Sequence, residues 1–300
     1  MRFTKPAIDI DAQIALLRSR GLIISDNERT RHYLRFIGYY RLSGYALVFQ
    51  RNYNFDGAHQ FHSNANFDDI LDLYIFDRKL RIILLDALER IEVAVRSILS
   101  QEMSIRHGTH WFMDAAPFVP NYKHVDFLEH IKEEIKHNPA KAHARQVFIK
   151  HYYEKYGDPE LPPSWMVFEV LSFGTVSQIF KNLKPENQKL IAKVFEMDRK
   201  VLASWLHAIS YLRNLVAHHQ RLWNRSFTIK PIPAKRYAAD LQTPSSFYAQ
   251  AVIIQVMLKT IAPDSQWSQR LAKLIDEHPK VPLHRTAFPT DWKTREIWLQ

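Results

Sequence analysis

The chain has no cysteine in its 300 residues. That absence excludes disulfides, thiolate zinc sites and a cysteine nucleophile, and it fits a reducing compartment, so a cytoplasmic location is expected. Glycine is scarce, with 7 residues against 15 prolines. Few positions can then take positive φ cheaply, which argues against a β architecture built on glycine turns and against a glycine-rich phosphate loop. Long charge-free apolar runs are also missing. The nearest is LQTPSSFYAQAVIIQVML, 241 to 258, with Pro, Ser, Thr and Gln through its first half; it reads as a buried helix with its leading loop, so no membrane span is expected. MRFTKP at the start carries no apolar signal region, and no secretory leader is expected. Acidic residues are outnumbered, 31 against 41 Lys and Arg, for a formal charge of +10. Such a balance favours an anionic partner, nucleic acid or an acidic membrane surface.

What is present is helical periodicity in a chain 46% hydrophobic and 13% aromatic, enough to bury a sizeable core. DIDAQIALLRSRG places Ile10, Ile14 and Leu17 at helical steps and stops at Gly21. A second run starts at a capping box, Ser25 with Glu28, and is dense in aromatics. Residues 50–66 lose periodicity and read as a loop. From Asn66 a long helix is predicted, because Leu73, Phe76, Leu80, Leu84, Ala87, Ile91, Val95 and Ile98 recur every three or four residues. Asp77/Arg81, Asp86/Arg90 and Glu92/Arg96 pair along it at i, i+4 with the acid first. Further helices are expected at about 123–137, 141–156, 164–182, 186–196, 198–219, 245–261 and 266–277. The tail HPKVPLHRTAFPTDW is too rich in proline for a helix and is expected to lie extended on the surface. The expected fold class is all-α: a multi-helix bundle over 61–228, with an N-terminal helical region, 1–60, and a C-terminal helical region and tail, 229–300, forming one compact unit.

One stretch stands out chemically. RNLVAHH, Arg213 to His219, closes the helix predicted from Asp198. On that helix Leu202, Leu206, Ile209 and Val216 form an apolar stripe and Arg213 falls inside it, so the guanidinium needs a partner. Asn214 and His218 are i, i+4 neighbours, with His207 and Tyr211 extending their face. Arg213 and His218 lie roughly 140° and about 7.5 Å apart on a straight helix, so one helix does not converge them. A second copy packed across a two-fold would duplicate the set in one cleft. Arginine suits a phosphate whose charge grows in a transition state, and histidine can move a proton to or from ribose oxygens near neutral pH. Asn214 could orient the histidine, and His219 competes with His218 for the proton-transfer role. No cofactor is required by this chemistry.

Other stretches offer nucleic-acid contacts. Arg35 with Tyr39, Tyr40, Arg41 and Tyr45 of YYRLSGY interleaves cations and rings as single-strand surfaces do; the alternative is an aromatic core corner with Gly44 in a turn. If Asp77 pairs with Arg81, then Arg78 and Lys79 remain as phosphate contacts. Arg221, Trp223 and Arg225, after the histidines, either grip RNA or cap the helix and fill the core. Scattered histidines, His107, His110, His124, His130, His137, His143 and His151, share no ligand spacing on one face, and no metal is expected.

R-N-x-x-x-H late on a bundle helix resembles the signature of the HEPN superfamily, all-α domains many of which are metal-independent endoribonucleases acting as dimers or paired domains. KPAIDIDAQIALLRSRGLII, YYRLSGY, FDRKLR, LERIEVAVR, SWMVFEVLSFGTVS and YLRNLVAHHQRLWNR together resemble the Abi family of bacterial abortive-infection proteins, of the AbiD/AbiF type, over about residues 5–228. The resemblance implies a bacterial cytosolic anti-phage protein on a HEPN fold, similar to the proposed ancestors of type VI CRISPR effectors. It assigns the catalytic roles to Arg213 and His218, with Asn214 in support. Type VI effectors carry two such motifs in one chain, whereas this sequence has one at the right spacing. A complete site then implies a homodimer acting on RNA; the rival reading is a non-catalytic module that binds a structured RNA and signals infection. A DNA-binding regulator is disfavoured, since no recognition-helix signature is present.

Overall fold

A computed structural model describes residues 2, 6–51 and 59–299. Residues 52–58 of the expected loop lie outside the described residues. Among those described there are twelve α-helices, short 3-10 turns, three isolated bridges and no strand, so the fold is all-α. The chain divides into two compact units, residues 1–81 with 271–283 and residues 82–270 with 284–300.

The first unit begins with α1 (Ile10–Ser19), whose first turn is closed by Asp9 accepting from the Ala12 amide, 2.8 Å away. Gly21, at φ +86°, ends it. The following helix does not start at the expected box. Asp26, one residue on from Ser25, accepts from the Arg29 amide at 2.9 Å and caps α2 (Asn27–Phe36), while Glu28 faces Arg31. Gly38, at φ +92°, then breaks the aromatic run and starts α3 (Tyr39–Ala46), so Gly44 is helical and not in a turn. The long α4 (Phe67–His107) starts where Asn66 accepts from the Asp69 amide at 2.8 Å; its residues 67–81 belong to this unit. Ile14, Leu17, Leu34, Leu42, Phe61, Leu73 and Phe76 form the buried interior. Asp77 and Arg81 pair as expected, and both are buried.

In the second unit α4 continues with Leu84, Ala87, Ile91 and Val95 fully buried. The fourth turn differs by one position: Leu99 is the sealed residue, while Ile98 is half-buried. Then come α5 (His124–Glu134), a 3-10 segment (Pro139–Ala144) in place of an expected helical start, and α6 (Val147–Lys155). The helix expected over 164–182 is two: α7 (Ser164–Val170) and α8 (Phe173–Asn182). Leu171 is extended, and Ser172 caps α8 by accepting from the Thr175 amide at 3.1 Å. An S-x-x-T start with Gly174 inside it outweighs the continuous apolar period across the break. Next are α9 (Pro185–Val194) and α10 (Arg199–Ala217), the latter packed on α8, α9 and α11 (Phe247–Ile261). As the composition suggested, α11 is interior: every residue from Phe247 to Leu258 is buried. No helix among the described residues is long and apolar enough to cross a membrane. The last helix, α12 (Trp267–Glu277), straddles the boundary of the two units.

The proline-rich tail departs from expectation. It has no α-helix, as proline dictates, but it is not a surface strand: Phe288, Trp292, Ile297 and Trp298 are buried, with the rings of Phe288 and Trp298 against Tyr248. Proline removes amide donors without forbidding burial, and the aromatics of the tail gain more in the interior than in water.

Candidate functional site

The site is built on α10, which starts at Asp198 accepting from the Lys200 amide at 2.7 Å. Leu202, Trp205, Leu206, Ile209, Leu212 and Val216 bury one face. That packing fixes the rotation of the helix, and Arg213 emerges at its edge, 39% exposed. Its partner is Glu92 on α4: Arg213 Nε donates to Glu92 Oε2 at 3.3 Å. The other carboxylate oxygen accepts from Arg96, so one nearly buried acid holds two guanidinium groups. Arg96 also donates through Nη2 to the Leu171 carbonyl at 2.8 Å. That carbonyl is near the break between α7 and α8, where the backbone leaves helical geometry.

This arrangement turns a pair expected at i, i+4 into a three-member cluster. Two cations against one anion leave a surplus positive charge, and the more exposed of the cations is Arg213. A buried carboxylate with two well-placed donors is satisfied; the same carboxylate alone would be costly. The apolar stripe around Arg213 requires a partner for it without locating one, because Glu92 is 121 residues away.

Beyond Arg213 the helix ends in the motif itself. His218 is the C-terminal cap, its amide donating to the Asn214 carbonyl at 3.0 Å. His219 follows at φ +54°, its amide on the Val216 carbonyl at 3.0 Å, and the Gln220 amide reaches the Leu215 carbonyl at 2.9 Å. These bonds make a Schellman end with histidine in the left-handed position usually given to glycine. The two histidines thus differ in backbone role: His218 completes the helix and His219 turns the chain. Asn214, His218 and His219 are all exposed, while His207 and Tyr211 are half-buried on the preceding turns.

The other candidates separate by burial. In the second unit Arg221 and Arg225 are half-buried, with Arg225 Nη1 on the Arg221 carbonyl at 3.1 Å. Trp223 is fully buried, so of its two expected roles it takes the core one. In the first unit Arg35, Tyr40 and Arg78 are exposed, and Tyr40 is almost wholly in solvent. Tyr39 accepts from Arg20 at 2.9 Å, and Arg41 lies over the Tyr74 ring. Tyr45 is no surface residue. Its hydroxyl donates to Asp77 at 2.7 Å from a buried position, and burial pushes its pKa well above the ordinary tyrosine value. Lys79 is also engaged, 3.5 Å from Glu277 and 3.2 Å from His278 Nε2. No three of His, Asp and Glu among the described residues converge as metal ligands.

An all-α protein with an Arg-Glu-Arg cluster beside an exposed helix-end histidine pair is the class these observations define. The family model for Abi-like protein matches residues 32–224, from α2 through the whole of α10 and past both histidines. The chain belongs to that family, which points to abortive infection and anti-phage defence. No curated protein matches the chain. No solved structure matches it either.

Proposed function

We propose that this Abi-like protein is a metal-independent endoribonuclease of anti-phage defence, built on a HEPN-type bundle and acting on RNA in the cytoplasm. The observation that carries the reading is the placement of Arg213. It is anchored by Glu92 yet 39% exposed, in a cluster with net positive charge, on the same helix end as exposed Asn214 and His218.

In this reading Arg213 holds the scissile phosphate and stabilises its growing charge. The ribose 2′-oxygen attacks phosphorus and the bond from phosphorus to the 5′-oxygen breaks. His218 takes the proton of the 2′-hydroxyl or supplies one to the leaving oxygen, and Asn214 orients it. Two copies pair so that two helix ends face one substrate. Product ends are then a 2′,3′-cyclic phosphate and a 5′-hydroxyl.

The test is cleavage of end-labelled RNA in excess EDTA by the intact chain and by an Arg213→Ala, His218→Ala double variant. Cleavage by the intact chain alone, with cyclic phosphate ends, is the expected outcome. Products with 3′-hydroxyl and 5′-phosphate ends reject the mechanism. Equal RNA binding by both chains with no cutting favours the non-catalytic module, a reading that the engagement of Arg213 by Glu92 also suits.

A further inference from the structure

We propose that the cleft between α4 and α7 is a nucleobase subsite, in which the indole of Trp165 stacks on an unpaired base of single-stranded RNA. The choice of RNA as substrate rests on the function proposed above; the cleft and its chemistry do not. It is an open cleft of about 460 Å³ within the second unit, inside the range of about 300–1,000 Å³ typical of small-ligand sites.

The carrying observation is the exposure of Trp165. The chain has seven tryptophans, all among the described residues. Six are at most 6% exposed, and Trp165 is 49% exposed at the edge of the cleft. Leaving one large indole in water while six are buried is a cost that a stacking partner would offset.

The indole also has a firm base. Ser164, the residue before it, is buried and its hydroxyl is 2.8 Å from that of Ser100 and 2.9 Å from that of Ser104. These contacts clamp the first turn of α7 onto α4. Buried Phe168, one turn on, adds a second apolar wall.

The remaining lining supplies polar edges. Arg96 forms part of the wall, its Nη2 committed to Glu92 and to the Leu171 carbonyl. Gln101 brings an exposed amide and Glu169 an exposed carboxylate. A base offers an apolar face for the indole and donor and acceptor atoms on its edge for these groups. Arg96 ties the cleft to the cluster of Arg213, since both arginines share Glu92. A base in the cleft is thereby connected through one side chain to the arginine proposed to hold the phosphate. Bases inside a duplex hide their faces, so the subsite selects unpaired RNA.

Exposure makes Trp165 the indole that reports binding. The His218→Ala chain, which cannot cut in the proposed mechanism, is titrated with a short single-stranded RNA, its duplex, a nucleoside monophosphate and inorganic phosphate. Tryptophan emission and its quenching by iodide are followed. Single-stranded RNA is expected to quench emission and shield it from iodide, with duplex and phosphate inert. A Trp165→Phe change should abolish that response, and Trp165→Ala should weaken single-strand binding roughly tenfold. A response to the monophosphate as well supports the stacking site and makes a free nucleotide a second source of the base.

RNA binding that leaves Trp165 emission and iodide access unchanged overturns the proposal. So does iodide access that falls with protein concentration alone, for a second copy then covers the indole. The failures are separable: stacking without cleavage by the intact chain retains the subsite and rejects the nuclease. Cleavage without a response at Trp165 does the reverse.

Discussion

Removing a carboxylate that serves two guanidinium groups leaves a different defect from removing either guanidinium. Glu92 is 11% exposed and holds Arg96, itself 15% exposed, as well as Arg213. A Glu92→Ala change strands a nearly buried cation, and a loss of about 3 kcal/mol in urea unfolding is expected. Arg213→Ala is expected to cost only about 1 kcal/mol, because that side chain is well solvated and Glu92 keeps Arg96. Equal losses in the two variants would show that the cluster does not hold the fold in this way. The sequence alone revealed half of this. The i, i+4 spacing of Glu92 and Arg96 was readable, and so was the need of Arg213 for a partner. That the same Glu92 meets both needs was not, since periodicity carries no information on which helices meet.

At the scale of elements, the scarcity of glycine leaves its mark on helix ends. Gly21 closes α1 with its amide on the Arg18 carbonyl and the Leu22 amide on that of Leu17. The same pair of bonds closes α5, α9 and α10, with Lys136, Glu196 and His219 in the left-handed position. Each such residue carries a steric cost of about 1 kcal/mol relative to glycine. Glu196 is exposed, so Glu196→Gly is expected to raise stability by about that amount, read as a higher urea midpoint at unchanged slope. A lower midpoint would mean that the added backbone freedom of the unfolded chain dominates. Most element positions were legible, because long apolar periods such as those of α4 and α10 are hard to satisfy otherwise. The misplaced boundaries are short-range competitions. Asp26 caps α2 where Ser25 was equally eligible, and Ser172 interrupts a run whose apolar period continues through it.

For the whole molecule, burial sets the response to alkali. Tyr122, Tyr153 and Tyr248 are pushed up to about 12, in each case mainly by desolvation, and Tyr45 is raised further. In the unfolded chain tyrosine ionises near 10. Below about pH 10 both states keep these protons and the tyrosines add no pH dependence. As pH rises from there towards 12, the unfolded state loses protons first, so stability falls across that window. Melting temperatures at fixed ionic strength should decline over that range, and Tyr248→Phe should flatten the decline. A melting temperature constant from pH 10 upward would contradict the burial of these hydroxyls.

Composition and periodicity by themselves determined that the chain is all-α, that α11 is interior and that RNLVAHH ends a helix. Those properties follow from local spacing and from the cost of leaving apolar surface in water. Tertiary structure alone decided that the tail is buried, that Tyr45 and Trp223 are core residues, that Lys79 is engaged and that Glu92 anchors Arg213. Those outcomes depend on which distant surfaces meet, and that is set by how the helices within each unit share their apolar faces rather than by the pattern along any one of them.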